Sequence, residues 1–468
     1  MVRREYAQRS VFEVLLPDGD KLWEPALRRI DEVLDDDALL DLVEDALEGR
    51  RPMSRIRGRL GTPAEVVLRM LVLKHLYDWS FDECEREVRG SLVYRAFCRI
   101  DCERVPDAKT LIRLAQLLGP GTLKGLVERL VAVAWQRKII RGFRMRVDTT
   151  VVETNIHYPT DSSLLADGVR VLTRTLKQLR QVVEPGAIRL RDRARSVARR
   201  VFEIVQHSRR AAKAPVQVRM RTLYRELMGL TRAVVRQAET AAEQVAAGAV
   251  RGGGLAQIQV EALAEGLRHT TGLVRRVLAQ TRARVLKGDT HYPDKVLSLF
   301  EPHTEAIRKG KAAKPTEFGK LVKLQEAEAQ FITDYAVCAT RIPDGDLWVP
   351  ALERHVSLFG RAPRLAVADA GFASGKNEQA ATNHGVRRVA LPTRGRLSAT
   401  RHAHQRQRWF RRALRWRTGC EGRISVVKRR HGLRRCRYRG LDGMERWVGL
   451  GVIANDLLVL ARAGPRKP

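Results

Sequence analysis

FRMRVDTTVVET, residues 143–154, is where the chain changes period. Apolar residues before it recur at helical spacing. Here β-branched residues cluster with charges at alternate places, which reads as a strand carrying Asp148. Later stretches extend the sheet. EFGKLVKLQ (317–325) and FITDYAVCATRI (331–342) read as strands, and RLAVADAGF (364–372) as a strand ending at Asp369 with Gly371 in the turn after it. RRVALP (387–392) follows as another strand, after a helix from Gly375 to about Asn383. The spacing therefore predicts a mixed α/β core over about 140–160 and 295–460.

Between these parts lies a segment of different character. VRVLTRTLKQLRQVV (169–183) and RDRARSVARRVFEIVQHSRR (191–210) carry Leu, Val, Ala and Arg patterns with few strand signals. Residues 161–290 read as an all-helical insertion, with turns at Pro185-Gly186 and at Gly252 to Gly254. Basic residues outnumber acidic ones there by roughly two to one, which suits a face lying on phosphates or a solvated bundle. No exact repeat period marks a solenoid.

Ahead of the sheet, residues 1–59 form a helical lead-in with acidic patterning in DEVLDDDALLDLVEDALEG and a break at RGRLGTP. Residues 60–135 read as a helical DNA-binding domain. Val66, Leu68, Leu71, Leu73 and Leu76 predict a buried helix, Ser80 with Glu83 caps a second, and Pro106-Asp107 starts another. Two short helices joined by a tight turn can form a helix-turn-helix or a plain packing unit.

The 468-residue chain carries 87 Lys and Arg against 53 Asp and Glu, a formal charge of +34 that calls for a polyanionic partner. Nucleic acid fits better than a membrane, because no apolar run reaches spanning length and WVGLGVIANDLLVLARA is broken by Asp456. Glu13 interrupts the apolar patch near the start, so no export signal is expected. Six scattered cysteines form no C-x-x-C pair, and reduced structural thiols follow.

The chemistry centres on RTGCEGRISVVKRRHG, residues 417–432, where Glu421 sits in a basic, helix-compatible run. Arg417, four positions back, and Lys428, seven on, share its helical face. That arrangement suits a metal held through Glu421 and phosphates held through Arg417 and Lys428. Thr418 and Glu421 also have capping-box spacing, which would start a helix there. Just upstream, RHAHQRQRWFRRALRWR (401–417) mixes Arg with Trp409 and Trp416, which either stack on an unpaired base or anchor an amphipathic helix. An Asp on a strand, a second at the end of a later strand and a Glu on a helix make the plan of a two-metal phosphoryl-transfer site. Mg²⁺ or Mn²⁺ prefers such oxygen ligands. Other acids compete. Glu153, five places past Asp148, falls on the opposite strand face, while Asp161 and Asp167 follow a Pro in an expected loop.

These motifs resemble the bacterial insertion-sequence transposases with a DDE triad, in the insertion-sequence-five branch. RVDTTVVETNIHYPTDSSLL resembles the family's first-Asp segment, ADAGFAS its second, and the run from Gly419 to Arg462 its C-terminal segment. The resemblance implies an RNase H-like mixed sheet with flanking helices, over 136–160 plus 291–462. It makes Asp148, Asp369 and Glu421 the catalytic triad and the ligands of two Mg²⁺ or Mn²⁺ ions. Arg417 and Lys428 fill the R and K of the signature Y-(2)-R-(3)-E-(6)-K, and Arg423, Arg429, Trp409 and Trp416 complete the expected DNA contacts. Leu414 stands where the signature has Tyr, and Ala370 where a basic residue often follows the second Asp. The implied partners are double-stranded DNA, as element ends and target, and a second copy of the chain in a homodimer. The implied location is the cytoplasm, at the nucleoid. The rival readings are a DNA-binding protein that has lost catalysis and a nuclease of the same fold.

Overall fold

The computed structural model describes residues 2–5, 22–49, 61–208, 214–254, 256–308, 315–393 and 395–463. The apolar patch around Glu13 and most of the RGRLGTP break lie outside them. Two compact units result, Met1–Asn155 with Ile307–Pro468, and Ile156–Ala306.

The first unit is built on a mixed sheet. β1 (Arg144–Glu153) is its long central strand. β3 (Glu317–Glu326) pairs antiparallel with β1, Asp148 opposite Leu324, and β4 (Ile332–Val337) pairs antiparallel with β3. On the other side, β5 (Leu365–Val367) runs parallel to β1, Arg146 opposite Val367, and β6 (Arg388–Ala390) runs parallel to β5. The short β2 (Glu305–Ile307) brings the chain back into the sheet on the β3 side. All of these strands but β2 fall within stretches that the sequence reads as strands, and β5 stops at Val367, two residues short of Asp369. Met145, Val147 and Val151 face one apolar cluster with Trp348 and Phe372. The alternate positions, Arg146 and Asp148, face the helix Arg408–Arg430.

The N-terminal helices share this unit. In Ala64–Leu76 every residue from Ala64 to His75 is buried, so the helix is packed all round. Each fully buried Val or Leu contributes about 1.5–3 kcal/mol. The charges inside it are partnered. Arg69 bonds Glu65 at 2.9 Å and Asp35 at 2.5 Å, and also reaches Asp31, which explains the acidic pattern upstream. Lys74 lies over Phe81 and Trp447, 4.8 and 4.6 Å from the ring centroids. Burial pushes its pKa down to about 8. Ser80 and Glu83 form the expected capping box, and Asp107 caps Ala108–Leu117. Pro25–Leu34 and Asp37–Glu48, read from sequence as a lead-in, pack into the same hydrophobic core as the helices after them. Lead-in, helical domain and sheet thus form one unit where the sequence reading separates them.

The second unit is helical. Asp161–Val182, Ala194–Ser208, Ala214–Ala246 and Ala256–Thr281 enclose a core that includes Leu164, Leu172, Leu227, Val234 and Val274. Its interhelical turns contain Pro185-Gly186 and Gly252 to Gly254. Asp161 and Asp167 correct the loop expectation. Thr160 caps a helix that begins at Asp161, and the two carboxylates are tied locally, to Arg284 at 2.6 Å and to Arg170 at 2.6 Å.

Candidate active site

Asp148 projects from the middle of β1 toward the helix Arg408–Arg430. The parallel register places Arg146 beside Val367, where β5 ends, and Asp369 follows two residues on, its charge acting on the Arg417 guanidinium that donates to Asp148. Asp369 leaves the sheet at that point. Its side chain accepts the Gly371 amide at 2.8 Å and caps the 3-10 turn Ala370–Phe372.

Glu421 comes from the facing helix. It stands mid-helix, so the capping-box alternative fails, because no helix begins at Thr418, whose hydroxyl bonds the Leu414 carbonyl at 3.2 Å. Arg417 joins the two elements. Its Nη2 donates to Glu421 at 2.6 Å and its Nη1 to Asp148 at 3.4 Å. Burial disfavours the guanidinium charge, but the Glu421 hydrogen bond and the charges of Asp148, Glu421 and Asp369 outweigh it and raise its pKa. Arg417 therefore bridges two of the three expected carboxylates, Asp148 and Glu421, and feels the charge of the third, Asp369.

The helix owes its position to Arg146. This residue, buried, bonds Glu326 at 3.2 Å through Nε and reaches the Trp416 carbonyl, with its guanidinium 4.9 Å from the Trp416 ring centroid. Gly419 allows the contact, since a Cβ there would lie 2.7 Å from Arg146 Nη1. Cys420 beside it is inert, burial raising its pKa well above the ordinary value.

The structure adds Asp344, which the sequence reading did not single out. Its carboxylate accepts the Thr149 hydroxyl at 2.9 Å, and a Cβ on Gly371 would lie 3.0 Å from Asp344 Oδ2 and 3.1 Å from Asp369 Oδ1. Nothing in the sequence around Asp344 ties it to Asp369. Glu153 closes β1 near Arg435, 3.6 Å away.

The expected DNA contacts divide. Arg423 is a correction: it is 8 % exposed and bonds Asn455 at 2.7 Å and Gln330, so it anchors the helix from inside. Lys428 approaches Glu317 at 4.0 Å, and Arg429 is exposed. Trp416 lies against Arg146, and Trp409 packs on His404 and Phe410, so both occupy anchoring positions. The helix Phe81–Gly90 carries four acids against Arg86 and Arg89, each bonded to a glutamate of the same helix, which gives no support to phosphate reading there.

Oxygen-only donors on Asp148, Asp369 and Glu421 have the chemistry that Mg²⁺ or Mn²⁺ requires. Among the described residues no three His, Cys, Asp or Glu side chains already converge as a metal site. Arg417 supplies the positive charge between Asp148 and Glu421.

Residues 11–117 match the family model described as a transposase domain (DUF772), and residues 377–461, which contain Glu421, match the transposase DDE domain. An uncharacterized protein, ORF8 of the nfe locus of Rhizobium meliloti, is 30% identical over 149 residues, covering 31% of this chain and 72% of that protein. No solved structure matches. The chain thus carries a transposase domain and, toward its C-terminus, a transposase DDE domain.

Proposed function

We propose that this protein is the transposase of an insertion sequence, acting on the terminal inverted repeats of its element and joining the freed ends to target DNA. The observation that carries the reading is the Arg417 guanidinium, which bridges Asp148 on the sheet and Glu421 on the facing helix and feels the charge of Asp369. Carboxylates gathered at a basic surface repel phosphate, so they weaken DNA binding unless cations neutralise them. A protein that only bound DNA would have no use for them.

In this mechanism Asp148, Asp369 and Glu421 would hold divalent cations, and Arg417 would exchange its carboxylate partners for the scissile phosphate. Bound Mg²⁺ or Mn²⁺ would activate the attacking oxygen and stabilise the leaving one. Water attacks the phosphodiester at the element end, giving a 3′-hydroxyl and a 5′-phosphate. That 3′-hydroxyl then attacks a phosphodiester of the target, forming one bond as the other breaks. Lys428 and Arg429 hold phosphates along the same helix, and Arg146 with Gly419 keeps that helix in place. An RNase H-like sheet, membership of the insertion-sequence-five branch and a homodimer holding two ends complete the proposal.

Leu414 and Ala370, at the two departures from the family's pattern, favour a second reading, a DNA-binding protein that has lost catalysis. The test supplies uncut element ends with Mg²⁺ and a supercoiled target to the full chain and to Asp148→Asn and Asp369→Asn. Joining by the intact protein alone supports the transposase. Binding without joining in all three supports the second reading, and cleavage without joining points to a nuclease.

A further inference from the structure

The helical unit contains a concave pocket of about 430 Å³ that the mechanism does not use. Its wall comes from the segment joining Asp161–Val182 to Ala194–Ser208 and from the helix Ala214–Ala246. In RLRDR, residues 189–193, arginines occupy alternate positions, and alternate positions of an extended segment face the same way. Arg189, Arg191 and Arg193 all line the pocket, and Arg236 faces them from the helix. The segment is pinned there, since the Arg191 amide donates to Gln237 Oε1 at 2.6 Å. Its one acid, Asp192, is drawn off by Lys177 at 2.6 Å and by the Ala194 amide at 2.8 Å. None of the four arginines forms an ion pair with a described carboxylate, and Arg193 Nε is buried without a hydrogen-bond partner among the described residues.

Arg189, Arg191 and Arg236 are exposed and Arg193 is half-buried, so four like charges line one solvent-open cavity and draw an anion toward it. Guanidinium forks match phosphate oxygens, and the cavity is larger than one phosphate group requires. We propose that this pocket binds the phosphodiester backbone of DNA, as a contact that the helical insertion makes by itself. The inference rests on the transposase reading for the identity of the polyanion.

The experiment measures binding of the full chain to a duplex carrying an element end, by fluorescence anisotropy from 50 to 200 mM salt. Arg191→Gln with Arg236→Gln removes two pocket guanidiniums. Arg225→Gln with Arg268→Gln removes two others of the same unit that do not line the pocket. Each lost phosphate contact lowers the slope of log affinity against log salt by about 0.9, so the pocket pair is expected to lose about two and the control pair less than one. Arg191→Lys with Arg236→Lys should regain most of the slope, showing that the loss is one of charge. A pocket pair that loses no more slope than the control pair, in a protein that binds and cleaves, overturns the pocket alone. A wild type that does not bind DNA at all overturns both readings.

Discussion

Replacing Arg417 by Gln removes the cation that bridges Asp148 and Glu421. At 3.4 Å, with Arg417 and Asp148 side chains 17% and 12% exposed, the first contact is partly buried, whereas Glu421, at 60%, is largely in water. The Coulomb energy of such a pair at an effective dielectric of 20 is about 5 kcal/mol, most of it cancelled by desolvation. The exposed Glu421 contact adds under about 1 kcal/mol. A net loss of about 2 kcal/mol is therefore expected in metal-free buffer, read as a lower midpoint in urea. The same substitution frees the carboxylates, so Mg²⁺ should stabilise the variant more than the wild type. A ligand at a hundred times its Kd stabilises by about 2.7 kcal/mol, enough to erase the difference. Urea titrations of both proteins, with and without Mg²⁺, provide the assay. A variant as stable as wild type without metal, or one that gains no more from Mg²⁺ than wild type does, would refute the reasoning.

Gly419→Val should cost about 1–3 kcal/mol and lower cleavage, because its Cβ lies 2.7 Å from an Arg146 guanidinium that Glu326 and Trp416 hold in place; thermal melting and end cleavage read the two effects. Burial pushes His355 and His431 down to about 4. The unfolded chain takes up their protons near pH 6.5, so their contribution is intact above that pH and is lost as the pH falls through about 4. At pH 5 the loss is about 2 kcal/mol per histidine, and urea midpoints unchanged between pH 7 and 5 would contradict it. Asp456 has the opposite sign. Burial raises its carboxyl well above the usual range, so the folded state keeps a proton that the unfolded state releases, and stability falls as pH rises above the ordinary carboxylate pKa. Asp456→Asn, which can still accept the Ile332 amide, should flatten that fall and be no less stable than wild type at pH 8; a less stable variant would show that the ionised form is the one the fold needs.

Much of the sheet is legible in the chain because its signals are local. Asp148 sits among β-branched residues with period two, and Asp369 closes a short apolar run before a Gly turn, so both strand positions can be read directly. Ser80 with Glu83 and Asp107 cap helices by contacts three residues long. What escapes the sequence is set by packing at a distance. Thr418 and Glu421 imitate a helix start, but the helix begins ten residues earlier and is fixed by Gly419 against Arg146. Arg423 was readable in principle. It stands three after Cys420 and four before Val427, on the buried stripe that also holds Phe410 and Ala413, and its charge concealed the period. Asp344 has no such signal, because only the fold brings it to Asp369.

The most direct test compares the intact protein with Glu421→Gln on a duplex carrying the element's end, with Mg²⁺ present. Glu421 is exposed and its substitution leaves the core untouched, so both proteins should bind. The account predicts that the intact protein cuts at the element end and the variant does not. Equal cutting by both would contradict a carboxylate site that includes Glu421, and binding without cutting by either would contradict catalysis itself.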